Sequence, residues 1–202
     1  MDSAAEMIDV AFALEGDAVP REHRYALAVA LQRALPWFDG DARTGVHGLK
    51  LVRSGSGEDL VSHRTRLLLR VPRGRAADAA ALAGALLRLG DHRLRPGRAQ
   101  PRELLPHGTL YAPLVATDAT DEASFLARVQ DDLDALGVRA QPVCGRWQSA
   151  EAGRLRGCSL MLSGLDAAQS LVLLQQGLGP HRRLGCGLFI PHRSAAAVGW
   201  PS

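Results

Sequence analysis

The chain carries one order of apolar patterns twice, and that doubling limits its fold more than any other feature. In the first half, Ile8, Val10, Phe12 and Leu14 alternate with other residues, which predicts a half-buried strand. Pro20 suits the first turn of a helix, and Leu27, Leu31 and Leu35 recur every four residues until Pro36 stops it. Residues 46–52 read as a short strand and Gly55-Ser56-Gly57 as a flexible turn. Residues 67–71 read as an apolar strand, with Arg64, Arg66 and Arg70 at alternate positions on its other face. Gly74 and Gly90 bracket an alanine- and leucine-rich helix, and Arg93-Leu94-Arg95 is expected to close the unit as a short strand.

Residues 96–106 are rich in proline, arginine and glycine and read as a linker, after which the order returns. Residues 110–115 are strand-like; residues 121–136 are helical, with Phe125, Val129 and Leu133 on one face and Gly137 at the end. Residues 143–147 and 155–162 read as paired strands. Asp166 with Gln169 forms a capping box for a helix running to Gln176, and residues 188–190 are a last apolar strand. Both halves read strand–helix–strand–strand–helix–strand, the ferredoxin-like order. The expected fold is therefore α+β: two tandem ferredoxin-like (RRM-like) units, residues 1–98 and 107–202, with a glycine-rich loop near the C-terminus.

That loop runs from Gly177 through Leu178, Gly179, Pro180, His181, Arg182, Arg183, Leu184, Gly185 and Cys186 to Gly187. A helix C-cap explains Gly177 alone. Two Gly-x-Gly pairs around a basic centre predict positive φ and close backbone approach, with exposed amides and the Arg182 and Arg183 forks meeting an anion. The order helix–glycines–strand excludes both a Walker loop and a dinucleotide fingerprint, so no nucleotide cofactor is expected.

Composition narrows the class. Apolar content of 47% and charged content of 22% fit a globular chain, and no apolar run is long enough to span a membrane. The acidic start, Met1 to Glu6, lacks a signal core, so a cytoplasmic location is expected. Lys50 is the sole lysine among 24 basic residues; the rest are arginines, the side chain best matched to phosphate. Cys144, Cys158 and Cys186 are odd in number and unpaired in spacing, which argues against a disulfide framework and a zinc site.

The glycine pattern near the end of a double ferredoxin-like chain resembles the repeat-associated mysterious protein (RAMP) superfamily of CRISPR systems. The stretches 8–17, His23-Arg24-Tyr25-Ala26-Leu27, Ala34-Leu35-Pro36-Trp37 and Gly45-Val46-His47 resemble its precursor-crRNA-processing endoribonucleases of the MYXAN subtype. The resemblance spans about residues 7–192. It implies metal-independent cleavage of CRISPR repeat RNA by attack of a ribose 2′-hydroxyl, with a cyclic phosphate product. It also implies crRNA and other subunits of a CRISPR effector complex as partners, with no cofactor.

Histidine suits both proton transfers of such a cleavage. His47, between Val46 and Gly48 where the family often carries its catalytic histidine, is the first candidate. His23 at the helix start is the second candidate, and Lys50 is a candidate for stabilising the phosphate. Arg182, Arg183, His181, Gly179 and Gly185 are the expected RNA contacts in the loop, and Arg64 and Arg66 are expected contacts on a strand beside the active site. Tyr25 is expected to pack. Aromatics make up only 4% of the chain, so recognition is expected to rest on phosphates and RNA shape rather than base stacking. A non-catalytic RNA-binding subunit of the same superfamily would share the loop, and a catalytic histidine separates the enzyme from it; a protein-interaction module would use the loop only structurally, and weak, salt-insensitive RNA binding would favour it.

Overall fold

The computed structural model describes residues 6–55 and 57–192. Ser56 of the expected turn and most of the acidic N-terminus fall outside that range.

The first unit is built from β1 (Met7–Glu15), β2 (Ala18–Pro20), α1 (Arg24–Ala34), β3 (Gly45–Val46), β4 (Val52–Arg53), β5 (Glu58–Leu60), β6 (Arg66–Pro72), α2 (Ala76–Ala79), β7 (Leu87–Leu89) and β8 (His92–Arg102). Its main sheet has the order β3-β6-β1-β8-β7, antiparallel throughout. The second unit comprises β9 (Thr109–Ala116), α3 (Glu122–Ala135), β10 (Gln141–Ala150), β11 (Leu155–Ser163), α4 (Ala167–Gln176) and β12 (Ile190–Pro191), with the order β10-β11-β9-β12. In each sheet the unit's first strand lies between its last strand and the second strand of the central hairpin. This is the expected ferredoxin-like arrangement. β2, β5 and β4 form a small separate sheet.

One face of the first sheet packs on α1 through Val10, Phe12, Leu67, Leu69, Leu27 and Leu31. The other face is covered at one end and exposed at Ala13, Glu15 and Arg66. Met7 joins the core of the second unit, and Asp9 and Ala11 are buried with it. From Met7 to Phe12 β1 is thus buried on both faces, because the second unit covers the face that alternation assigns to water; Ala13 and Glu15 on that face stay exposed.

Four further expectations are corrected. The expected linker is largely strand: β8 runs to Arg102 and passes the expected boundary at residue 98. Pro96 and Pro101 face β1, and β7 pairs only with residues 92–94, so the outer edge of β8 accommodates prolines that a central strand would reject. The helix expected between Gly74 and Gly90 is four residues long and is followed by a 3₁₀ turn, Ala80–Leu82. Gly84 in the left-handed region ends it, and residues 87–89 turn back as a strand. Residues 46–52 are extended only at their two ends. Finally, Cys144 is disulfide-bonded to Cys158 with Cα atoms 6.5 Å apart. The two cysteines lie on paired strands, next to an irregularity in β10 between Cys144 and Trp147 that shifts its register against β11, and spacing alone reveals neither. Cys186 is free and buried, its thiol pushed up to about 11 by that burial.

Candidate active site

β3 is two residues long, and the edge it forms carries His47. The His47 N–H donates to the Leu68 carbonyl at 2.9 Å, extending the β3–β6 pairing by one step. Side chains alternate across the sheet, so Val46 enters the core while Gly45 and His47 share the opposite face with Arg70 and Asp9. Gly45, Arg70 and Asp9 form one row across three strands.

Arg70 is 1% exposed and fully engaged. Its Nε and Nη2 donate to the two Asp9 oxygens at 2.8 and 2.9 Å, while Nη1 donates to the Leu174 and Phe189 carbonyls at 2.7 and 3.0 Å. The expectation that Arg70 shares a free face with Arg64 and Arg66 therefore fails at this end of the strand, because the second unit lies over it. Arg70 is a buried bolt between the units. A charge so placed is tolerated only when paired and hydrogen-bonded.

His47 sits against this pair. Its side chain is 11% exposed, and Nε2, which is buried without a hydrogen-bond partner, lies 3.7 Å from Asp9 Oδ1. Burial pushes the imidazole below its ordinary pKa; Asp9 opposes this and the Arg70 charge adds to it. For Asp9, burial alone would raise the pKa, but His47 and Arg70 outweigh it and hold the carboxyl well below the usual range.

His23 occupies the N-cap of α1. Its Nδ1 lies 3.1 and 3.2 Å from the Pro20 and Arg21 carbonyls, which fixes Nδ1 as the donor and leaves Nε2 as the acceptor in the neutral ring. Burial, then the neighbouring Arg24 charge, push its pKa down against those two carbonyls and Glu151. His23 and His47 line one narrow cleft with Arg24, Gly48, Leu184 and Gly185. The two candidate histidines thus come together.

The glycine segment forms the far wall. Leu184 and Cys186 pack on the second sheet beside Leu114, with Tyr25 and Ala28 of α1 against them, so the segment is wedged between the units. Gly177, Gly179, Gly185 and Gly187 all have positive φ, as expected. Their reason differs from the expectation. A Cβ on Gly187 would overlap the Leu178 carbonyl, and one on Gly185 would meet Arg24 Nη1 and the Gly48 amide. The amides of Gly177, Leu178 and residues 184–187 all donate to carbonyls inside the protein, so they do not line an open anion nest.

The remaining expected contacts scatter. Arg182 folds back onto the Gln176 carbonyl, and Arg183 binds Asp39 through Nε at 2.8 Å and the Asp39 carbonyl through Nη2 at 2.9 Å. His181 is exposed and in the left-handed region. Arg64 and Arg66 are exposed, Arg66 donating to the His63 and Thr65 carbonyls. Lys50 is exposed, and the cleft is lined by Leu49 rather than by Lys50. Tyr25 packs as expected, with Arg154 4.8 Å above its ring.

Sequence reading missed Asp9, Arg24 and Glu151 as parts of this site. Asp9 interrupts an apolar strand, a signal open to reading; the links of Arg24 and Glu151 are long-range and leave none. A second cleft, of about 720 Å³, lies on the second unit between β9, α3 and the segment 179–181, and neither His47 nor His23 lines it. It is open and mixed in charge, with Asp118, Asp131 and Asp132 beside Arg128, Arg154 and Arg156. No helix among the described residues is long and apolar enough to cross a membrane.

Compared with known families, residues 8–194 match the one described as Cas6 Crispr. A curated relative, the CRISPR-associated endonuclease Cas6 of Myxococcus xanthus (strain DK1622), is 37% identical over 194 residues, covering 95% of this chain and 84% of the relative. Among solved structures, one described as a Cas6-related gene product from Pyrococcus furiosus matches with a TM-score of 0.66 at 10% identity over 91% of this chain and 98% of the other. One described as CRISPR associated protein Cas6 matches with a TM-score of 0.64 at 12% identity over 93% and 100%. At those identities the structures speak to fold alone.

Proposed function

The chain belongs to the Cas6 family, and on that premise we propose that it is an endoribonuclease that cuts CRISPR repeat RNA by metal-independent transesterification. The observation that carries this reading is the convergence of His47 and His23, one from a sheet edge and one from a helix cap, on the cleft walled by the glycine segment. Burial depresses both imidazoles, which favours neutral rings near pH 7, the form a proton acceptor needs.

In this reaction the 2′-hydroxyl oxygen forms a bond to the adjacent phosphorus and the bond from phosphorus to the 5′-oxygen breaks. The 2′-hydroxyl proton passes to one imidazole, and the departing 5′-oxygen takes a proton from a second donor. The products are a 2′,3′-cyclic phosphate and a 5′-hydroxyl. Lys50, Arg182, Arg183, Arg64 and Arg66 supply positive charge for the backbone, and the intramolecular bonds of Arg182 and Arg183 are exchanged for phosphate on binding. Other subunits of a CRISPR effector complex are the expected partners of the protein and its product.

The test is incubation of the purified protein with repeat RNA in EDTA, followed by analysis of the product ends. Cyclic phosphate and 5′-hydroxyl ends in EDTA are expected. Cleavage that stops in EDTA, or that persists on RNA with deoxyribose just upstream of the cut, overturns the mechanism. Tight binding without cleavage favours a non-catalytic RNA-holding subunit.

A further inference from the structure

The row Gly45–Arg70–Asp9 does more than bolt the units together. Arg70 uses Nε and Nη2 on Asp9 and Nη1 on two carbonyls of the second unit, so it fixes the carboxylate in place rather than competing for its whole surface. A carboxylate has about four lone-pair directions, and the bidentate fork occupies two. The Asp9 oxygen nearest His47 is therefore still able to accept a proton from it. On the histidine side, Nε2 is the buried nitrogen, it has no other partner, and it is turned toward Asp9 at 3.7 Å. That separation is beyond a formed hydrogen bond, but a small rotation of the ring closes it, and such contacts tighten when substrate binds.

We propose that Asp9, held by Arg70, is the positioning residue for His47: its carboxylate takes the Nε2–H and leaves Nδ1 as the nitrogen that receives the 2′-hydroxyl proton. This rests on the reading of His47 as the proton acceptor. Asp9 touches no reacting atom. It selects the tautomer, orients the ring toward the cleft, and stabilises the imidazolium formed as the 2′-oxygen attacks phosphorus, the division of labour seen wherever a carboxylate backs a histidine base. The charged and titratable groups around His47 are Asp9 from β1, Arg70 from β6, and His23 and Arg24 from α1. From the glycine segment only Leu184 and Gly185 line this cleft. Asp9 is thus the only anion facing the ring among the described residues.

The decisive measurement is single-turnover cleavage of repeat RNA against pH for wild type, Asp9→Asn, Asp9→Glu and His47→Ala. Asp9→Asn is expected to slow cleavage by about 10²-fold with RNA affinity nearly unchanged, because the effect lies in the transition state. Its acidic limb should move to lower pH, since the lost carboxylate and the now uncompensated Arg70 both disfavour the imidazolium. Asp9→Glu should recover part of the rate. Because Asp9→Asn also loosens a buried pair, ¹⁵N chemical shifts of the wild-type His47 ring serve as a second readout, with Nε2 protonated and Nδ1 bare in the neutral form. A slower Asp9→Asn with an unmoved limb, or a wild-type ring protonated at Nδ1, overturns the proposal while His47 keeps its role. If His47→Ala cleaves normally, the catalytic reading itself is wrong, and the ring shifts still report whether Asp9 fixes the tautomer.

Discussion

Glu151 accepts the backbone N–H of Arg24 at 2.8 Å, so a carboxylate from the second unit caps the first helix of the first. Glu151 is 2% exposed and lies at the β10–β11 turn, where its own φ is +54° and that of Ala152 is +53°. His23 makes no side-chain cap of its own, since its ring is committed to the Pro20 and Arg21 carbonyls. The same helix start reaches forward, with Arg24 Nη1 donating to the Leu184 carbonyl at 2.6 Å. One residue of α1 therefore donates both to the hairpin tip and to the glycine segment.

Removing that cap has a defined cost. Glu151→Ala leaves the Arg24 amide without its acceptor and should destabilise the protein by about 1 kcal/mol, the usual value of a lost cap. In a chain of this size that lowers Tm by roughly 2–4 °C. Glu151→Gln keeps an oxygen acceptor and should lose less. Thermal denaturation of the three proteins distinguishes them; equal melting of wild type and Glu151→Ala would mean that the contact contributes nothing.

The glycine segment yields a comparison of two substitutions at similar φ. Gly90 has φ +63° with open space where a Cβ would project, whereas Gly187 has φ +66° with the Leu178 carbonyl in the way. Gly90→Ala should cost only the backbone penalty, about 1–2 kcal/mol. Gly187→Ala should cost clearly more, because Gly177–Leu178 and Gly187 must separate and the Leu178 N–H to Gly187 carbonyl bond is strained. Urea midpoints measure both, and a Gly187→Ala no worse than Gly90→Ala would show that the segment adjusts freely.

Arg182 and Arg183 test whether intramolecular bonds and RNA compete for one guanidinium. Replacing both with alanine should weaken binding across RNA sequences and flatten the salt dependence by roughly 0.7 per lost phosphate contact on a single strand. Asp39→Asn should do the reverse at Arg183, freeing the fork that Asp39 holds at 2.8 Å. Affinity measured at several salt concentrations gives both answers. An unchanged slope in the double alanine variant leaves these arginines with a structural role only.

The second unit was legible because its signals are local: the Asp166–Gln169 capping box forms as read, and Phe125, Val129 and Leu133 form the buried stripe of α3. The first unit was less so, for reasons that lie between elements. Asp9 and Arg70 look like a stray acid and a surface arginine until the second unit closes over them. The prolines of β8 signal a linker unless it is known that one edge of the strand is free. The glycines take the positive φ that their pattern predicts, and it is the chain's own atoms that approach them, which sequence does not say. That the two candidate histidines share a cleft is not legible, because one lies on a sheet edge and the other at a helix start and only the fold brings them together.

Acid should act on this protein in two stages. His23 and His47 have folded-state pKa values pushed below 6.5 by burial, so below about pH 6.5 the unfolded chain takes up protons that the folded one refuses. Stability therefore falls as pH drops from 6.5 toward the folded values, by at most about 1.4 kcal/mol per pH unit for each proton. Asp9 is depressed, so its contribution is present above 3.8 and is lost only as pH falls further, through its folded value. Urea unfolding between pH 8 and 3 should show the first stage and the onset of the second, and His23→Gln with His47→Gln should remove the first. A flat profile from pH 7 to 5 in wild type contradicts the burial of the two rings.

The last prediction divides labour between the two histidines. Nδ1 of His23 is held by two carbonyls, which leaves Nε2 as its only free nitrogen; Nε2 of His47 faces Asp9, which leaves Nδ1. If both act in proton transfer, His47→Ala and His23→Ala should each slow cleavage by about 10²–10⁴-fold with little change in RNA affinity. The double variant should be scarcely slower than the worse single one, because groups that act as a unit are not additive. His23→Ala also removes the ring from the start of α1, so its thermal stability must be compared with that of wild type before its rate is read. If His23→Ala is stable and cuts normally while His47→Ala does not, the His23 ring serves only its bonds to the Pro20 and Arg21 carbonyls, and the proton donor to the 5′-oxygen must be sought elsewhere. Arg24, whose guanidinium keeps its proton, is then replaced to test whether it stabilises charge on the leaving oxygen. If both variants cut normally, neither imidazole takes part and the cleft is not the active site.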